Sequence, residues 1–235
     1  MSPSPASLTP HSGDSAHPHA ALARRQELPR ATEVPAVLAV VGLAGTGKSE
    51  ATGLLVQKYG YSAIYFGGIV VDEVQRRGLP LRPASERAVR EELRAAEGMD
   101  AIAARSIQPI RERLDSGENV VIDGLYSTAE LSRLRAESDL DVVTLAVHAP
   151  RWLRKKRLRT RPVRPLTAKE VDERDWFELS NLDKAPPIVL ADLHVVNDGT
   201  VNQLAENIYR TIEGFLTKIE SAVAAGTRPT TGSAE

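Results

Sequence analysis

The sequence predicts an α/β protein built on a mostly parallel sheet. Three observations carry that expectation. Five short segments are rich in Val and Ile and almost continuously apolar, as strands covered on both faces must be. Segments of helical period alternate with them along the chain. The first apolar segment runs without a gap into a glycine-rich turn and then a helical pattern.

The elements follow in order. "AVLAVVG" at 36–42 reads as the first strand and 48–58 as the first helix. "YSAIYF" at 61–66 is the second strand, with helical patterns after it at 69–77, 85–96 and 99–116. Gly98 breaks the last two apart. "NVVID" at 119–123 is the third strand, and a helix is expected at 128–137. "DVVTLAVHA" at 141–149 is the fourth, followed by a helix at 150–159 that Pro150 opens. Pro162 and Pro165 end that helix, so "TRPVRPLT" is a loop, and 168–181 is helical again. "DLHVVN" at 192–197 is the fifth strand and 200–221 the closing helix. Right-handed crossovers in such a sheet put ligands at the C-terminal strand ends.

Length and composition bound the function. The 235 residues suit one domain, expected at 34–222. Residues 1–33 and 223–235 lack hydrophobic periodicity and are expected to be disordered tails. His11, His17 and His19 in the first tail read as incidental in preference to a weak metal site. The net charge is −1, so the basic run "RWLRKKRLRTRPVR" at 151–164 is balanced elsewhere. Together with an aromatic content of 4%, that disfavours a nucleic-acid binder, which needs a basic domain or stacking platforms. There is no cysteine, and therefore no disulfide or thiolate metal site. No apolar run reaches membrane-spanning length, and the first residues do not read as a signal peptide. A cytoplasmic protein is expected.

The chemistry starts at "GLAGTGKS", the pattern G-x-x-x-x-G-K-[ST]. Its glycines let successive N–H groups turn inward around phosphate, and the next helix adds its positive end. The expected nucleotide contacts are Gly42, Leu43, Ala44, Gly45, Thr46, Gly47, Lys48, Ser49 and Glu50. Lys48 would reach the β- and γ-phosphates of ATP, and the Ser49 hydroxyl would bind Mg²⁺. Asp123 ends an apolar strand beside this loop, and suits the Mg²⁺ shell or an acceptor hydroxyl. Its rival reading, a helix cap, is weakened by Ser127 and Thr128, which already offer one. No N-K-x-D guanine motif and no L-S-G-G-Q signature occurs, and the fourth strand ends in His148 with no paired carboxylates.

"GLAGTGKSE", "VVIDG" and "ERDWFEL…ADLHVVNDGT" together resemble the P-loop nucleotide kinase superfamily that includes adenylate kinase and dephospho-CoA kinase. Most similar is a poorly characterised dephospho-CoA-kinase-like group, over roughly residues 36–210. The resemblance implies a P-loop NTPase three-layer α/β/α sandwich with a five-stranded mostly parallel sheet. It also implies a helical acceptor-binding region at about 67–105 and a short lid at about 157–175. ATP and Mg²⁺ would be the cofactors, and the partner a small nucleotide-like acceptor. Catalysis would rest on Lys48, Asp123, Arg161, Arg164 and Arg174. Arg157 and Asn197 would contact the nucleotide, although "NDG" at 197–199 also reads as a plain turn. Arg90 and Arg105 are the acceptor candidates; Arg154, Lys155 and Lys156 read as the wet face of their helix. The sequence departs from relatives with G-D-x-x-R after the second strand, where it has Gly68 and Val71, and from D-G-x-P-R, where it reads "DGLYS". The expected activity is ATP-dependent phosphoryl transfer. Dephospho-CoA kinase is the alternative within enzymes, and a nucleotide-dependent nucleic-acid-binding protein the alternative outside them. Oligomeric state is open.

Overall fold

The computed structural model describes residues 34–162 and 164–224. The N-terminal histidines and the expected first tail lie outside the described residues. The strands are β1 (Val37–Val41), β2 (Ser62–Tyr65), β3 (Val120–Asp123), β4 (Val142–His148) and β5 (Leu193–Val196). They pair in the order β2-β3-β1-β4-β5, and every pairing among the described residues is parallel, where the sequence suggested only mostly so.

The near-continuous apolar strands split by alternation into two cores. Val37, Ala39 and Val41 of β1 join Ile64, Val120 and Ile122 on one face. Leu38 and Val40 join Val121, Leu145 and Val147 on the other. α1 (Lys48–Tyr59) and α9 (Val201–Ala224) cover the second face through Leu55, Leu204 and Ile208. α2 (Phe66–Arg76), α3 (Pro83–Glu97), α4 (Ala101–Asp115) and α5 (Thr128–Arg135) cover the first through Val74, Leu93, Ile107 and Leu134. This is a three-layer sandwich. α6 (Arg151–Thr160) and α7 (Ala168–Asn181) follow β4 and flank the loop after β1, where Ala44, Leu158 and Val171 make a small third core.

Three elements differ from expectation. α2 begins at Phe66, directly after β2, where the sequence suggested a strand through residue 66 and a helix only from 69. Phe66, Val70 and Val74 are buried at a four-residue spacing, and that packing outweighs the poor helix propensity of the two glycines. The short α8 (Ala185–Val189) was missed, because five residues opening on prolines carry no periodicity to read. α9 also continues to Ala224, into the segment expected as a tail.

Candidate active site

The C-terminal strand ends gather at one edge, and β1 lies between β3 and β4 there. The loop after β1 is wrapped tightly enough that two of its glycines have no substitute. Gly42 has φ 146°, and a Cβ on it would meet the Val147 carbonyl oxygen at 2.5 Å. Gly47 has φ 97°, and a Cβ there would meet Asn197 Nδ2 at 2.1 Å. Gly47 also opens α1 with no side-chain cap, which leaves first-turn N–H groups for an anion.

Three side chains hold the loop from around it. Lys48 Nζ donates to the Leu43 carbonyl at 3.1 Å. Asn197 Nδ2 donates to the Thr46 carbonyl at 2.8 Å. Arg154 Nη1 donates to the Ala44 carbonyl at 3.0 Å and pairs bidentately with Asp175 of α7 at 2.9 and 2.6 Å. The wet-face reading of Arg154 is therefore corrected. It stands one turn from Leu158 on the inward side of α6, and Asp175 supplies the counter-charge that burial demands. Arg157 donates to the backbone oxygen of Asn197 at 3.0 Å and to its side-chain oxygen at 3.1 Å. Both side chains expected at the nucleotide are thus engaged with each other, and Asn197 also with the loop.

Ser49 Oγ donates to Asp123 Oδ2 at 3.4 Å. Ser127 caps α5 by accepting from the Glu130 N–H at 3.2 Å, so Asp123 is not spent on that cap. Burial raises the Asp123 pKa, against the pull of Lys48 and Ser49. Burial, and then the neighbouring Lys184, lowers Lys48 to about 7. A hydroxyl and a carboxylate this close are the hard oxygen donors that suit Mg²⁺. Among the described residues no group of three or more His, Asp or Glu side chains could hold a metal alone, so such an ion would draw its other ligands from phosphate and water.

Glu178 binds two cations, accepting from Arg174 Nε at 2.8 Å and from Lys184 Nζ at 2.7 Å. Lys184 is 1% exposed and lies 4.3 Å over the Tyr126 ring. Sequence reasoning missed Glu178, Lys184 and Tyr126. The i,i+4 spacing of Arg174 and Glu178 was a readable signal, whereas nothing local marks Lys184.

Beside this cluster opens a cavity of about 940 Å³, bounded by α3, α7 and the ends of β2 and β3. Tyr65, Arg90, Arg94, Tyr126, Arg174 and Phe177 are among its walls. Arg94 pairs with the buried Glu130 at 3.1 Å, while its Nε is buried without a partner. Arg87 pairs with Glu91 one turn along α3 at 2.8 Å, and Glu86 lies 3.6 Å from Arg164 and not on Arg90. Arg90 is left without a charged partner among the described residues. Arg164 also lines the cavity, and Arg161 Nε donates to its carbonyl. Arg105, the other acceptor candidate, lies elsewhere. It is not on the cavity wall, and it is held by Glu97 at 2.5 Å with Glu73 at 3.6 Å.

A five-stranded parallel sheet with a tight glycine-rich loop after its central strand defines a P-loop α/β fold. TT1252 from Thermus thermophilus shares the fold with a TM-score of 0.56 at 19% identity, over 78% of this chain and 98% of that one. A gluconokinase from Sinorhizobium meliloti 1021 matches with a TM-score of 0.51 at 16% identity, over 85% of this chain and 100% of that one. The AAA domain family matches residues 41–172, and a UPF0200 protein of Thermococcus sibiricus is 34% identical over 75% of this chain and 94% of its own. The chain belongs to the AAA domain family and, among its relatives, to the UPF0200 proteins. A further UPF0200 protein, from Thermococcus gammatolerans, is 32% identical over 77% of this chain and 95% of its own. Among the described residues no helix is long and apolar enough to cross a membrane.

Proposed function

We propose that this protein transfers the γ-phosphate of ATP to a small nucleotide-like acceptor held in the arginine-lined cavity. One observation carries the reading: Arg174 and Glu178 of the cavity wall act electrostatically on Lys48, and Tyr65 of the same wall is paired in the sheet with Asp123. The small-molecule kinase among the solved structures of similar fold supports it.

The loop N–H groups and Lys48 would hold the β- and γ-phosphates. Mg²⁺, when bound at Ser49 and Asp123, would screen the phosphate charge. Asp123 would orient a metal-shell water or the acceptor hydroxyl. Arg174, with Arg161 and Arg164 from the loop after α6, would face charge on the transferred group. Phosphoryl transfer asks mainly for positioning and charge stabilisation, and these residues supply both. Tyr65, Tyr126 and Phe177 offer faces for a base, and Arg90 and Arg94 offer donors for an anionic substituent. Use of ATP suits a cytoplasmic role.

Part of the basic run is engaged within the protein, which favours the phosphoryl-transfer reading over the nucleic-acid alternative. Arg154 is buried, Arg157 holds Asn197, and Arg151 and Lys155 pair with Asp172 at 2.7 Å each. Lys156, Arg159 and Arg164 remain exposed, so half of the run is engaged inside the protein and the rest is a smaller cationic face.

The test is transfer from γ-labelled ATP to a panel of nucleoside monophosphates, deoxynucleotides and dephospho-CoA. Label should appear on a member of the panel, and Asp123→Asn should cut turnover far more than nucleotide affinity. Dephospho-CoA as the sole acceptor would select the alternative kinase. No transfer to any member, with ATP still bound, would sink the reading.

A further inference from the structure

The least expected group in the site is Lys184. A lysine that is 1% exposed needs a reason, since an ammonium is among the costliest groups to bury. It has one carboxylate partner, Glu178, and one aromatic face, Tyr126. Both of those residues line the cavity, so Lys184 stands directly behind its wall.

Glu178 divides its two oxygens. Oε2 accepts from Lys184 at 2.7 Å and Oε1 accepts from Arg174 Nε at 2.8 Å. An arginine and a carboxylate left to themselves prefer the two-point fork that uses Nε and a terminal nitrogen together. Here the second point of the fork is occupied. Arg174 is held by Nε, among the described residues no carboxylate engages its terminal nitrogens, and the residue is part of the cavity wall.

We propose that Lys184 is a positioning residue. By occupying one oxygen of Glu178, it prevents two-point capture of Arg174 and leaves the terminal guanidinium nitrogens of Arg174 for an anionic group in the cavity. The proposal deepens the phosphoryl-transfer reading and rests on it for the identity of that anion. Without Lys184, Glu178 turns both oxygens onto Arg174 and draws it back from the cavity. A side chain displaced by an ångström costs up to about a hundredfold in rate.

The experiment uses the full chain with Lys184→Met, Arg174→Ala and the double variant. Lys184→Met should lower kcat by roughly ten- to a hundredfold, with KM for ATP nearly unchanged. The double variant should be no slower than Arg174→Ala alone, because the lysine acts through the arginine. Losses that multiply, or a lowered melting temperature with kcat intact, would overturn the proposal. If Lys184→Met does not fold, Glu178→Gln takes its place. That change removes the carboxylate that would capture Arg174, so kcat should stay within a few-fold of the wild type, and a loss as large as that of Arg174→Ala would count against the idea. A second readout is independent of any acceptor. In ¹⁵N-arginine NMR spectra, the terminal amino signals of Arg174 should be rotationally averaged in the wild type and become slowly exchanging in Lys184→Met. Identical spectra overturn the proposal, whereas a wild type that transfers no phosphate but shows this change refutes only the functional reading.

Discussion

Lys48 sets the behaviour of the site at the scale of one residue. Its amine is desolvated at the base of the loop and sits near Lys184, with Asp123 and Glu178 only partly compensating, so it titrates near pH 7 in the free protein. Bound phosphate favours the charged form and raises that pKa. Binding above neutral pH must then take up a proton, so affinity falls as pH rises through about 7, by up to about tenfold per unit, and levels off below. Lys48→Arg stays charged throughout and should flatten the profile. Calorimetric ATP titrations across neutral pH check this; a wild-type affinity that does not change would exclude a titrating lysine at the phosphates. The loop motif marks Lys48 in the sequence. Its acidity is not marked, because it depends first on burial by the fold and then on Lys184, far away in the chain.

At the scale of elements, α6 and α7 are fastened to the phosphate loop by a buried charge pair. Arg154 reaches Ala44 from α6 and is held by Asp175 from α7. Breaking such a pair leaves one charge buried alone and costs about 3–5 kcal/mol. Arg154→Met should show that loss in urea denaturation. The double change Arg154→Met with Asp175→Leu should recover much of it, because no lone charge remains. Lys156→Ala, on the exposed face two residues on, should cost less than about 0.5 kcal/mol. Equal stabilities for Arg154→Met and wild type would return Arg154 to the solvent. Within "RWLRKKRLRTRPVR" the charges look alike. Only the facing Asp175 distinguishes the one that is buried, and a helix pattern cannot name a partner on another helix.

For the whole molecule, one sheet carries both cores, and the site sits where its strands end. A ligand that binds only this assembled edge stabilises the entire fold by mass action. ATP with Mg²⁺ at about a hundred times its Kd should add about 2.7 kcal/mol. For a domain of this size that is a rise in Tm of roughly 5–11 °C. Differential scanning fluorimetry with and without EDTA measures it. Lys48→Ala should lose the shift. A shift that survives Lys48→Ala would place nucleotide binding elsewhere on the molecule.

Local chemistry is what the chain alone determined. Apolar strands alternating with helical periods specify an α/β sheet, because each pattern is the one its burial requires. The phosphate loop and Asp123 at a strand end are legible because neighbouring residues create them through the backbone they share. Tertiary structure decided everything that depends on pairing across distance. It withdrew Arg105 to Glu97, buried Arg154 against Asp175, tied Asn197 to the loop, and set Glu178 between Arg174 and Lys184. A charged side chain has no fixed role until the fold supplies its counter-charge and its exposure to water, and neither is a property of the residues beside it in sequence.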